Sequence, residues 1–232
     1  VSYSGQCYMS YCIGGRSANR GECAQACRKK YSLIDEKGNI IIKDKYLLSM
    51  KDFNASKHLK NLIDANVKSF KIEGRLKDRN YVRNFVAYYR REIDKFADKT
   101  SSGKVFLDFE PDVRKSFNRG FTDYFLSERK KCFNFESPKS LGEKLGKIKL
   151  VGKNYFEIEW LKNASSKSLR PQDGLYFNEM GCLVNKTEGN KIFPNKMDGI
   201  KTGIEIYRNF DSKFEKQLEN SKTKRQIEVK FI

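Results

Sequence analysis

The chain has 232 residues, 47 of them Lys or Arg against 29 Asp or Glu, and a single histidine, His58, which gives a formal charge of +18 at neutral pH. No run of about 18 apolar residues occurs, which excludes a membrane-spanning helix, and no charged-then-apolar leader opens the chain, so none is expected to direct it to a secretory route. One histidine leaves Ser-His-Asp, Cys-His and multi-histidine metal sites hard to build.

The first 31 residues read as a loop, because Gly5, Gly14, Gly15 and Gly21 interrupt every periodic run. From Leu33 the pattern becomes regular, with short β-like runs at Asn39–Ile42 and Tyr46–Leu48. Asn54 is placed to cap a helix bearing Leu59, Leu62 and Ile63 that stops near Asn66. Val67–Ile72 then reads as a strand. A second helix is expected from about Tyr81 to Ala97, since Val82, Phe85, Val86, Tyr89, Ile93 and Phe96 recur at helical spacing. Helix, strand, polar loop and helix make the rhythm of a β/α unit.

Residues 98–104 have linker composition, Pro111 suits the first turn of a short helix, and Phe117–Phe125 follows. After Pro138 the period becomes two. Lys147–Val151 and Tyr155–Trp160 flank Gly152-Lys153-Asn154 as a hairpin, Pro171–Gly174 forms a turn, and Gly181–Asn185 and Lys191–Phe193 flank Thr187–Asn190. Gly203–Arg208 closes the series. This spacing predicts a small antiparallel barrel. The expected fold class is therefore α/β plus all-β: the tail end of a (β/α) TIM-like barrel, then a small antiparallel β-barrel. A complete (β/α)8 barrel needs about 200 residues or more. The expected division is a Cys-rich loop and last β/α units at 1–98, a helical linker at 99–138, the barrel at 139–210 and a charged tail at 211–232.

Four of the six cysteines, Cys7, Cys12, Cys23 and Cys27, lie in one short stretch. The lack of a leader argues against disulfides; structural zinc, an iron–sulfur cluster and reduced thiols are all open on spacing alone. Arg16, Arg20 and Arg28 lie among these cysteines, where they favour thiolates or grip a carboxylate or phosphate through paired bonds. They could equally bond loop carbonyls. Lys71–Lys77 (KIEGRLK) follows the expected strand, at the end where such barrels build their sites. Glu73 is a candidate base or orienting group for Arg75, and Lys77 a candidate anion ligand; a loop-stabilising Arg–Glu pair is the plainer alternative. Asn118-Arg119-Gly120 reads as a turn with one exposed cation, and Cys132 and Cys182 as small buried residues. The excess of basic residues is either a solubilising lysine surface or a footprint for a polyanion such as RNA.

Val1–Cys7 (VSYSGQC) and Gly14–Arg28 (GGRSANRGECAQACR) resemble the signature of the peptidase U32 family. Ser69–Lys77 (SFKIEGRLK) followed by Tyr81-Val82 is similar to its second motif. Phe117–Thr122 (FNRGFT) and the run ending Ile206-Tyr207-Arg208 resemble its longer members, which carry a collagenase-like accessory region. The resemblance implies an oxygen-independent RNA hydroxylase that uses prephenate as co-substrate and carries an iron–sulfur cluster, expected to be 4Fe-4S, with zinc as the second choice of metal. The ribosomal RNA cytidine hydroxylase branch is the nearest in type. By the same resemblance Cys7, Cys23 and Cys27 map onto cluster ligands, a further cysteine ligand is expected immediately upstream of Val1, and Cys12 lies outside the ligand set. The chain so read is a C-terminal fragment, inactive in isolation.

The leading expectation is thus a cytoplasmic RNA-modifying hydroxylase. Glu73 and Arg75 would be catalytic, Arg16, Arg20 and Lys77 would bind an anionic substrate, rRNA or tRNA would be the partner, and no membrane would be involved. Two rivals remain: a collagenase-like peptidase, which needs an activated nucleophile or metal-bound water, and a non-catalytic RNA- or protein-binding module.

Overall fold

The computed structural model describes residues 7–74, 77–96, 103–129, 131–164, 167–227 and 229–230. They form two compact units that interleave in sequence, one from 1–54 and 119–140, the other from 55–118 and 141–232.

The described residues of the first unit open on α1 (Met9–Gly14), stopped by Gly15 in the left-handed region at φ 67°, and two 3-10 turns at Ala18–Arg20 and Ala26–Arg28. β1 (Tyr31–Ile34) and β2 (Ile40–Lys45) form an antiparallel hairpin. The Asp35 carboxylate fastens its turn by accepting the Lys37 and Asn39 amides at 2.9 and 2.8 Å, and Gly38 supplies the positive φ of 84°. The expected run at Tyr46–Leu48 is not a strand; it is a turn closed by Ser49 N–H to Tyr46 O. β3 (Asp52–Phe53) ends this part of the unit.

The chain then passes through α2 (Leu59–Asp64), α3 (Arg79–Ile93) and β4 (Lys104–Phe106), and returns to the first unit as β5 (Phe121–Thr122), which pairs in parallel with β3. Asn54 does not cap α2, because its N–H donates to Thr122 O; a 3-10 turn at Ser56–His58 leads into the helix instead. Val67–Ile72 carries no strand. A parallel strand needs flanking strands for its ladder, and among the described residues β3–β5 is the only parallel pairing. The described residues therefore show a mixed α/β fold with an antiparallel barrel, and no TIM-like parallel barrel.

α3 matches its apolar periodicity, and Asp78 caps it by accepting the Tyr81 amide at 2.7 Å. Asn84, fully buried on its inner face, bonds Asp112 O at 2.8 Å and Ser116 Oγ at 2.7 Å, fixing the segment after Pro111. That segment forms one 3-10 turn, Val113–Lys115, rather than a helix.

The closed barrel holds β6 (Glu143–Val151), β7 (Phe156–Trp160), β8 (Gly174–Phe177), β9 (Met180–Glu188), β10 (Lys191–Pro194) and β11 (Glu205–Phe210), in the order β10-β7-β6-β11-β8-β9. Every pairing is antiparallel, and both expected hairpins are present. Alternate strand positions fill the interior with Leu145, Ile148, Phe156, Ile158, Leu175, Phe177, Val184, Ile192 and Ile206. Each such burial contributes roughly 1.5–3 kcal/mol. Gly146 is required where β6 crosses β7: a Cβ there would lie 2.0 Å from the Glu159 carbonyl oxygen. Cys182 is buried as expected, and burial pushes its thiol up to about 11.

Residues 211–232 are more than a charged tail. α4 (Ser212–Glu219) is capped by Asp211, and β12 (Lys224–Gln226) pairs with β4. Phe214 and Leu218 bury one face of α4 with Ala87 of α3 and Phe109. Arg83 of α3 donates to the Leu218 carbonyl at 2.6 Å, and Asn80 to Glu215 at 2.8 Å. No helix of the described residues is long and apolar enough to cross a membrane.

Candidate functional site

The cysteine stretch cannot build a core of its own, so side chains tie it down. Ser10, nearly fully buried on α1, accepts the Ala24 amide at 2.9 Å, and Asn19 accepts the Cys7 amide at 3.0 Å. Ala26 is buried, and its carbonyl accepts the Tyr31 hydroxyl at 2.8 Å. Gln25 adopts a left-handed φ of 54° and turns its N–H onto Cys23 Sγ at 3.3 Å. An amide aimed at a sulfur stabilises negative charge on it.

Arg28 anchors the loop's end. Its Nη1 donates to Ser49 Oγ at 2.8 Å and to the Met50 carbonyl at 2.9 Å. Burial lowers its pKa, as does the neighbouring Arg119 cation; Cys27, Asp52 and Cys23 act in the opposite sense. Two thiols, a carboxylate and two guanidiniums thus share one electrostatic neighbourhood. Arg119 is not an exposed cation on a turn. Its Nη1 donates to Asp52 Oδ1 at 3.0 Å, its amide to Asp52 Oδ2 at 2.7 Å and its Nε to the Pro138 carbonyl at 2.8 Å. The positions are 67 residues apart, so only the β3–β5 pairing reveals the contact. Sequence reasoning missed Asp52, Ser49 and Arg119 as parts of this site, and no local spacing marks them.

Cys7 and Cys27 are half-buried, and Cys12 and Cys23 are exposed. Thiols suit an iron–sulfur cluster or zinc, but among the described residues no three Cys, His, Asp or Glu side chains stand close enough to hold a metal ion. Among the described residues Cys7, Cys23 and Cys27 therefore do not come together as a complete ligand set. Arg16 and Arg20 are exposed on the same loop.

The other expected site residues belong to the second unit. Arg75 lies outside the described residues, and Glu73 is exposed. Lys77 is half-buried with its ammonium 2.9 Å from the centre of the Phe117 ring and 5.5 Å from that of Tyr81. This cation–π clamp holds the lysine in place. Its amide also donates to Gly74 O at 3.0 Å.

The sequence profile of peptidase family U32 matches residues 1–134. The chain belongs to that family. The match takes in the whole cysteine loop, Asp52 and Arg119, and stops short of the barrel. The U32 chain is 38% identical over 249 aligned positions to the 23S rRNA 5-hydroxycytidine C2501 synthase of Escherichia coli, covering 99% of this chain and 37% of that protein. It is 35% identical over 130 positions to a collagenase of Porphyromonas gingivalis, covering 56% and 36% of the two chains. It is 30% identical over 132 positions to tRNA hydroxylation protein P1 of Bacillus subtilis, covering 54% and 31%. The chain thus spans about a third of the length of these curated relatives. No solved structure matches it.

Proposed function

We propose that this U32 chain works in an RNA-modifying hydroxylase whose substrate is a ribosomal RNA cytidine. The observation that carries the reading is the similarity to the rRNA 5-hydroxycytidine synthase over 99% of the chain, which runs through the cysteine loop and the barrel alike. A net charge of +18 suits an RNA partner. On this reading the protein is cytoplasmic, and its N-terminal unit completes a TIM-like barrel with further β/α units. Cys7, Cys23 and Cys27 are the iron–sulfur ligands, and prephenate is the co-substrate. Thiols gathered in one tethered loop and the amide bonded to Cys23 Sγ support the ligand assignment. Arg16, Arg20 and Lys77 serve as ligands for an anionic substrate, and Glu73 and Arg75 act as the catalytic residues.

The test is nucleoside mass spectrometry of 23S rRNA from cells with and without the gene, together with iron and acid-labile sulfide analysis of anaerobically purified full-length protein. Loss of 5-hydroxycytidine on deletion, restored by the native gene and not by a Cys23→Ser variant, is the expected result. Unchanged rRNA overturns the reading. The collagenase relative gives the second reading its footing, and gelatin cleavage by the metal-analysed protein would favour it.

A further inference from the structure

A cavity of about 150 Å3 opens within the unit formed by 55–118 and 141–232, where β11 runs into α4. Its wall carries four basic side chains, Lys115, Arg170, Arg208 and Lys213, along with Ser168 and a single acid, Asp211. The acid is already engaged. Its Oδ1 accepts the Phe214 amide at 3.0 Å, and its Oδ2 faces Lys115 at 3.0 Å and Arg208 at 3.3 Å. Arg170 and Lys213 are exposed, and among the described residues neither forms an ion pair. With Glu143 and Asp173 also facing Arg208, the four cations stand against three carboxylates, and the unpaired positive charge lies on Arg170 and Lys213.

Arg208 adds a second, independent sign. Its side chain is 4% exposed, with Nη2 on Glu143 at 2.7 Å and Nη1 facing Asp173 at 3.6 Å. Its Nε is the one buried side-chain polar atom among the described residues with no hydrogen-bond partner. A desolvated guanidinium N–H without an acceptor is costly, and an incoming oxyanion relieves that cost. The four cations come from four different segments: the 3-10 turn at 113–115, the loop before β8, β11 and the first turn of α4. Donors converging from several directions suit a tetrahedral anion better than a planar carboxylate, which offers two oxygens along one edge. The positive end of α4 acts in the same sense.

We propose that this cavity binds a phosphate group. A small phosphate ester and an RNA backbone phosphodiester present the same chemistry to it. The inference stands apart from the hydroxylase reading, because it concerns neither the cysteine loop nor Glu73, Arg75 and Lys77.

The experiment is calorimetric titration of the whole chain with inorganic phosphate, cytidine 5′-monophosphate and a single-stranded RNA oligonucleotide. The native chain is compared with R170A/K213A and with a charge-matched control, K147A/K201A, at exposed positions outside the cavity. Both side-chain pairs are exposed, so melting temperatures should stay within about 2 °C of native. The expected result is phosphate binding that weakens at least tenfold in R170A/K213A and is unchanged in K147A/K201A. RNA that binds more tightly than the monophosphate, with the same tenfold loss, identifies the phosphodiester as the source; monophosphate bound as well as RNA identifies a small ester. An absence of phosphate binding, or an equal loss in both double variants, overturns the proposal.

Discussion

Asp173 is the residue on which the junction between barrel and α4 should depend most. It is fully buried, and each carboxylate oxygen has its own work. Oδ1 accepts both the amide and the hydroxyl of Ser212, at 2.9 and 2.8 Å, which pins the first residue of α4. Oδ2 accepts the Arg170 amide at 3.0 Å and faces Arg208 at 3.6 Å. Asp173→Ala strands two backbone donors and removes one of three carboxylates around a buried guanidinium. Each unsatisfied donor costs about 1–3 kcal/mol and a broken buried pair about 3–5; the terms overlap, so about 3–5 kcal/mol in total is expected. Asp173→Asn keeps the shape and one acceptor oxygen, but its amide nitrogen then confronts either Ser212 or Arg170 donor to donor. About 1–3 kcal/mol is expected for that change. Urea unfolding followed by fluorescence of Trp160, the single tryptophan, which packs on the barrel core, measures both. A loss below about 1 kcal/mol for the alanine variant, or equal losses for the two, refutes the assignment of separate roles to the two oxygens.

Acid should weaken the same unit. Burial pushes the Asp211 carboxyl up, but Arg208, the Phe214 amide and Lys115 together hold it below its ordinary value; at Asp112, burial is likewise outweighed by the bonds from Arg114. A carboxylate depressed in the folded state stabilises it fully above its unfolded pKa of about 3.9, and that stability drains away as pH falls through the folded value. The urea midpoint should therefore drop below about pH 4, and less steeply in Asp211→Asn, which keeps the helix cap; identical slopes would exclude Asp211 as a contributor. Thiol chemistry should separate two classes of cysteine. With its thiol pushed up to about 11, Cys182 carries about a thousandth of its population as thiolate at pH 8. Brief iodoacetamide treatment of native protein should alkylate the exposed Cys12 and Cys23 and spare Cys182. Equal labelling by mass spectrometry would show that the barrel opens on that timescale.

Local patterns were enough for some elements and not for others. The apolar residues of α3 recur on one face, and its helix forms with an Asp cap at the expected end. The hairpins of the barrel follow from period-two patterning on either side of Gly152 and Gly189. α4 is not legible as a periodic helix because Lys213, Glu215, Lys216 and Glu219 surround its two buried apolar positions; the spacing of Phe214 and Leu218 after Asp211 is the available signal. Val67–Ile72 has the composition of a strand, and its failure to form one shows that β-propensity expresses a fit to neighbours rather than a backbone preference. The site divides in the same way. The thiols announce themselves by clustering, whereas Asp52 and Arg119 become neighbours only through a two-residue parallel pairing between distant segments.

That pairing also bears on how far the family's chemistry extends along the chain. A loop of 3-10 turns and left-handed residues has little stability of its own, since it buries few apolar side chains to offset the entropy of ordering it. Its fixed points come from elsewhere: Arg28 reaches Ser49 and Met50, and Asp52 in the next strand is held by Arg119. A sequence profile that described only the cysteines would omit the groups that hold them. The U32 match runs to residue 134, past Arg119 and Cys132, whose carbonyl accepts the Lys51 amide at 2.9 Å, and ends before β6. The segment shared with the family thus takes in the thiol loop and its supports along with the intervening α2, α3 and β4. The barrel, closed on its own core and joined to α4 by the Asp173–Ser212 bonds and the Arg208–Asp211 pair, carries a cavity whose chemistry can be tested without touching a cysteine.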